Sequence, residues 1–168
     1  GKRTIMRVGF TGTQKGMTDF QKEGLVNVFS FLKPYQTSAD AFLYEFIHGD
    51  CIGSDSEANE IALDYGITIF TIFPSTLKNK RAHCFGLGNY IPNIYNEILY
   101  KGKKIQVKWM EVNSPLERNK QIVDYCQHMI ATPKEHTHTI RSGTWATIRY
   151  AWKTKKEITI IPPVIRED

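Results

Sequence analysis

The residues best suited to chemistry stand in three glycine- and hydroxyl-rich stretches, each after an apolar run. They are Thr11-Gly12-Thr13, then Gly49-Asp50-Cys51-Ile52-Gly53-Ser54-Asp55, and finally Thr132-Pro133 followed by Arg141-Ser142-Gly143-Thr144. Glycine lets backbone approach a ligand closely and hydroxyls donate hydrogen bonds, so such stretches suit phosphate. Ser142-Gly143-Thr144 opens a segment of helical pattern. Unpaired N–H groups and the positive end of the helix dipole favour an anion at such a start. Each stretch alone is also what a strand-to-helix turn needs, a glycine and a cap. Three at one sheet edge point to an anionic ligand.

Leu116-Glu117-Arg118-Asn119-Lys120 adds an arginine in the first turn of a further helix. A guanidinium there can clamp a phosphate or ribose with two parallel hydrogen bonds, or it can be an exposed charge paired with Glu117 or Asp124. Several chemistries are excluded. Gly9-x-x-Gly12-x-x-x-Gly16 lacks the dinucleotide GxGxxG spacing, and no GxxxxGK[ST] occurs. His136 and His138 stand two apart and His83-Cys84 lies elsewhere, but with no CxxC or HExxH spacing no metal and no cofactor is expected. A serine hydrolase would need a GxSxG turn, which is absent.

Five apolar runs read as the strands that carry these loops: 4–10, 45–48, 67–73, 128–132 and 157–161. Helices alternate with them. Thr18-x-x-Gln21 and Ser54-x-x-Glu57 both match capping boxes. Leu25, Val28, Phe29 and Leu32 give the first helix its apolar face until Lys33-Pro34 stops it. Ala58, Ile61, Ala62 and Tyr65 do the same for the second, with Gly66 placed as its C-terminal cap. Residues 116–126 give a third helix, through Ile122, Val123 and Cys126. The opening Ser-Gly-Thr starts the fourth, with Ile148, Ala151 and Trp152 turned inward. Strand–helix alternation implies parallel strands, right-handed crossovers and ligands beyond the carboxyl ends of the strands. The expected fold is therefore α/β, a Rossmann-like three-layer sandwich on a mostly parallel sheet of about five strands.

Residues 75–115 break the rhythm. They hold Lys78 to Arg81, a Gly86-Leu87-Gly88 turn, and Tyr90, Tyr95 and Tyr100. They read as an excursion too small for its own core, with a short helix at 94–99 and an extra strand at 105–110. Its segment Lys101 to Trp109 could follow a nucleic-acid backbone with bases stacked on Trp109, or be a solvated edge protected by lysines.

One domain over residues 2–168 accounts for the length, and Gly1 reads as an addition ahead of the natural start. No apolar run approaches the roughly 18–20 residues that span a bilayer, so no membrane partner is expected. Three widely spaced cysteines, Cys51, Cys84 and Cys126, suit reduced thiols in a cytoplasmic setting. The net charge of +5 lies wholly in the second half: residues 1–84 carry nine basic and nine acidic side chains, residues 85–168 thirteen and eight. That bias favours an anionic partner, a nucleotide or a polynucleotide.

From the second strand onward the chain resembles the SLOG superfamily of Rossmann-like proteins. The resemblance rests on Gly49 to Asp55, Glu117-Arg118-Asn119-Lys120, and Ser142-Gly143-Thr144-Trp145-Ala146-Thr147. The string from Arg141 to Ala151 is most like uncharacterised DNA-processing-A-like members. The superfamily includes Lonely Guy phosphoribohydrolases, sensors of cyclic ADP-ribose-type signals, and DNA-processing protein A, which binds single-stranded DNA. The resemblance implies a nucleotide-derived ligand with phosphate on Ser142, Gly143 and Thr144, and Arg118 with Arg141 or Arg81 as counter-charges. Thr11 to Thr13 and Gly49 to Asp55 would form the opposite wall, with Asp50 or Asp55 accepting from ribose hydroxyls. It also implies a homodimer. Arg118 falls where the hydrolases carry a catalytic arginine, but Thr147 stands where they carry a glutamate. With no carboxylate there, sensing or sequestering a ligand is expected ahead of hydrolysis. Asp50 and Asp55 are the substitute candidates for hydrolysis, and DNA binding is a third alternative.

Overall fold

β-Branched and aromatic residues, alternating with amphipathic segments, build a sheet clad in helices. The computed structural model describes residues 3–32, 41–87 and 91–165. Chain order is β1 (Arg3–Gly12), α1 (Asp19–Leu32), β2 (Ala41–His48), α2 (Ser54–Tyr65), β3 (Ile69–Ile72), β4 (Tyr95–Tyr100), β5 (Lys103–Trp109), α3 (Pro115–Tyr125), β6 (His128–Thr132), α4 (Gly143–Lys153) and β7 (Glu157–Ile160). The seven strands lie in the order β4-β5-β3-β2-β1-β6-β7, all parallel to their neighbours except β4 against β5. The chain has a Rossmann-like α/β fold. It winds outward from β1 in one direction to β3 and β5, then returns to place β6 on the other side of β1. That reversal makes the switch point where ligands collect.

One face of the sheet packs Phe10, Phe46 and Phe70 against Leu25 and Phe29 of α1 and Ala58 and Ala62 of α2. The other packs Ile47 and Met129 against Ile122 and Val123 of α3 and Ala151 of α4. All five expected strands are present, β6 at its expected bounds and the others with shifted ends. The expected helix at 94–99 is instead β4. Its partner β5 follows through Lys101 and Gly102, whose φ of 49° and 79° are what a two-residue hairpin turn demands. The excursion therefore extends the sheet to seven strands. Its Trp109, a stacking platform in the nucleic-acid alternative, is buried in the core.

The first capping box holds: Gln21 N–H donates to Thr18 Oγ1 at 3.2 Å and Thr18 N–H to Gln21 Oε1 at 3.1 Å. The second does not. Gly53 occupies the cap of α2, Ser54 Oγ donates to the Thr13 carbonyl at 2.5 Å, and the Glu57 carboxylate accepts from Met17 N–H at 2.6 Å. Gly66 caps α2 in the left-handed region as expected. Trp152, expected to face inward, is half exposed. Gly1, the Lys33-Pro34 stop, Gly88 and Tyr90 lie outside the described residues. No described helix is long and apolar enough to cross a membrane.

Candidate functional site

The loops after β1, β2 and β6 and the first turn of α3 enclose a cleft of about 340 Å³. From the β1 loop come Thr11, Gly12 and Thr13, from the β2 loop Gly49 and Asp55, from α3 Arg118 and Asn119, and from α4 Ser142, Gly143 and Thr144. Close packing sets this wall. A Cβ on Gly12 would lie 2.4 Å from Thr132 Oγ1 and 2.5 Å from Ser54 Cβ, and one on Gly49 would lie 2.4 Å from Arg118 Nη1.

Ser142 caps α4 by accepting from Trp145 N–H at 3.2 Å, and its carbonyl takes the Ala146 N–H at 2.9 Å. Among the described residues no group accepts from the N–H of Gly143 or Thr144. Two donors and a helix-dipole end therefore open onto the cleft.

Arg118 is 5% exposed. Its Nη1 donates to the carbonyls of Gly49 at 2.8 Å and Phe73 at 3.2 Å, Nε to Asn119 Oδ1 at 2.8 Å, and Nη2 to Cys51 Sγ at 3.3 Å. A guanidinium has five N–H donors, so one on Nη2 is left over. The pairing with Glu117 or Asp124 does not form; Asp124 instead accepts from Tyr150. Arg118 thus forms no salt bridge with a described residue, and a buried cation faces the cleft with neutral acceptors only.

Asp55 is buried at the same wall, its Oδ2 accepting from the N–H of Gly49 and of Cys51, each at 3.1 Å. Burial pushes its carboxyl above the ordinary aspartate range, against the pull of His48 and Arg118. The Cys51 thiol is pushed up to about 11, by burial first and by Asp55 second, so it is a neutral thiol at pH 7 and no nucleophile.

The remaining expected residues do not reach the cleft wall. Asp50 sits at φ 56° and spends Oδ1 on the Cys84 N–H at 2.9 Å, which pins the segment after β3. Gly53 and Ser54 grip the β1 loop: a Cβ on Gly53 would be 2.2 Å from the Gln14 carbonyl oxygen. Thr132 is buried and Pro133 accepts from Gln21 Nε2 at 2.7 Å. Arg81 bridges to Cys51 through backbone, and Arg141 is exposed and not among the lining residues. Trp145 packs edge-on against His138 at 5.8 Å. Thr147 Oγ1 bonds back to the Gly143 carbonyl at 3.0 Å. His138 meets Arg149 Nη1 at 2.7 Å, and no metal-holding cluster occurs among the described residues.

Phe10, Gln14, Lys15, Pro115, Ile122, Lys134 and Glu135 also line the cleft and were not expected. Gln14-Lys15 and Lys134-Glu135 simply continue the loops begun by Thr13 and Pro133. Following each loop two residues further would have found them.

No family model and no curated protein matches this chain. Among solved structures, the X-ray structure of TM1055, a structural genomics target, is similar: TM-score 0.54 at 11% identity, over 91% of this chain and 72% of that one. That likeness concerns the fold.

Proposed function

We propose that this chain binds a nucleotide or a nucleotide-derived ligand such as an ADP-ribose, and senses or sequesters it. The observation that carries this reading is the meeting, on one cleft, of the open N–H groups of Gly143 and Thr144 with the buried charge of Arg118, which has no salt-bridge partner among the described residues. Both gain most from a phosphate. Lys15 and Lys134 add positive charge at the same wall. A volume near 340 Å³ is at the low end of the roughly 300–1,000 Å³ of small-molecule sites, which suits a mononucleotide-sized ligand better than a strand of DNA. The SLOG-like motifs fall on these same residues and support the reading.

Hydrolysis at the glycosidic carbon is the second reading, favoured by Asp55, a cleft carboxylate that burial biases toward its protonated form. Binding ranks ahead because Thr147, in place of a glutamate, offers no carboxylate.

Calorimetric titration with AMP, ADP-ribose and cyclic ADP-ribose, followed by chromatography for released base, tests both. Saturable binding without base release is expected. Thr144→Val should weaken it about 5-fold by removing a hydroxyl at the phosphate seat. If none of the three binds at millimolar concentration, the proposal fails.

A further inference from the structure

Two carboxylates line the cleft, and they are placed differently. Asp55 is part of the scaffold, since its Oδ2 already accepts from two backbone N–H groups. Glu135 lies on the loop between β6 and α4, and its Oε1 is shut off from solvent with no hydrogen-bond donor among the described residues. Lys15 and Lys134 share the wall, yet neither forms a salt bridge with it.

A cleft carboxylate that no protein group donates to gains from a ligand that brings the donor. Rotation about the last side-chain bond leaves one oxygen in that closed position, so the oxygen open to whatever enters is Oε2, which also has no hydrogen-bond partner among the described residues. A phosphate satisfies Arg118 and the start of α4, but it brings no donor for Glu135 and repels it. The cleft therefore asks for one molecule with an anion at one end and hydroxyl donors at the other.

We propose that Glu135 is the specificity-determining acceptor for the ribose hydroxyls of the bound ligand. Through it the cleft selects a phosphorylated ribose over a bare phosphate or a sugar without hydroxyls. The inference rests on the nucleotide reading above, and moves the ribose contact away from Asp50, whose carboxylate holds Cys84 instead.

Titration of AMP, 2′,3′-dideoxyadenosine monophosphate and inorganic phosphate into the wild type, Glu135→Met, Glu135→Gln and Asp55→Asn tests it. The wild type should prefer AMP to the dideoxy analogue by about 10-fold or more, because a site built to bond a hydroxyl rejects the ligand without it. Glu135→Met should close that gap without weakening phosphate binding, which loses a repulsion, while Glu135→Gln, which keeps a neutral acceptor, should retain part of it. A gap that survives Glu135→Met, or closes only in Asp55→Asn, overturns the assignment. So does an equal loss for AMP and phosphate. Wild type that binds AMP without discriminating also defeats the role of Glu135 alone, whereas wild type that binds neither AMP nor phosphate defeats the nucleotide reading itself.

Discussion

Asp55 is a carboxylate held where its charge is costly. Burial raises its carboxyl above the ordinary value of 3.8, and His48 and Arg118 only partly offset that. Between the ordinary value and the raised one the folded chain binds more protons than the unfolded chain, so stability falls as pH rises through that window. Asp55→Asn keeps an oxygen for the Gly49 and Cys51 N–H groups and removes the titration. The melting-temperature difference, variant minus wild type, should therefore grow in favour of the variant as pH rises from about 4 toward neutrality. A difference that shrinks over that range would show that Asp55 is stabilised as an anion. At this scale the sequence was half legible. Ser142, Gly143 and Thr144 announce themselves by type and spacing. Nothing in the type of Asp50 distinguishes it from Asp55, because a left-handed φ at Asp50 turns one carboxylate toward Cys84 and leaves the other at the cleft. Glu135 carries no pattern at all, and its role depends on having no partner, which is a fact of three dimensions.

Glycines at the starts of α2 and α4 look alike in sequence and do opposite work. Gly53 has φ 84° and presses on the backbone of Gln14, so a Cβ there meets an oxygen that no rotamer change can move. Gly143 has nothing within 4 Å of its Cβ position and no left-handed φ. Gly53→Ala should cost more than about 2 kcal/mol, through the combined penalties of overpacking and a strained φ. Gly143→Ala should be neutral or stabilise by up to about 1 kcal/mol, since alanine suits a helix better. Urea unfolding of the two variants checks this, and equal losses would mean that the β1 loop does not brace against α2. The same loop contact explains why the second capping box misleads. Ser54 and Glu57 have the right spacing, but tertiary partners, the Thr13 carbonyl and the Met17 N–H, outcompete the local ones. The first box survives because its local hydrogen bonds form in addition to tertiary ones, such as those from Gln21 Nε2 to Pro133 and Ile161.

Across the whole molecule, the strand–helix alternation carried the order of the elements, because each helix must bury one face on a parallel sheet. The β4–β5 hairpin was less legible. Its outer face alternates Tyr95, Glu97 and Leu99 with Lys104, Gln106 and Lys108 and stays exposed or half-exposed. In one dimension this mixed pattern reads as readily as a short helix followed by a lone strand. The strand order also decides what the basic charge of the second half can do. Strands lie about 4.8 Å apart, so β5 is roughly 14 Å and β4 roughly 19 Å from β1, where the cleft opens. At 0.15 M salt a charge is screened within about 8 Å, so Lys101, Lys103 and Lys104 are too remote to act on a ligand in the cleft. Lys101 and Lys104 also reach carboxylates of their own, Glu60 at 2.9 Å and Glu97 at 4.0 Å. Replacing all three lysines by glutamine should leave the affinity for AMP within about 2-fold at 0.15 M salt. A polynucleotide ligand lying along the hairpin would behave differently, losing affinity with each lysine and showing a steep salt dependence. Parallel titrations of AMP and a short single-stranded oligonucleotide into the triple variant separate the two cases. A loss of more than about 5-fold for AMP would mean that the hairpin, and not the cleft alone, holds the ligand.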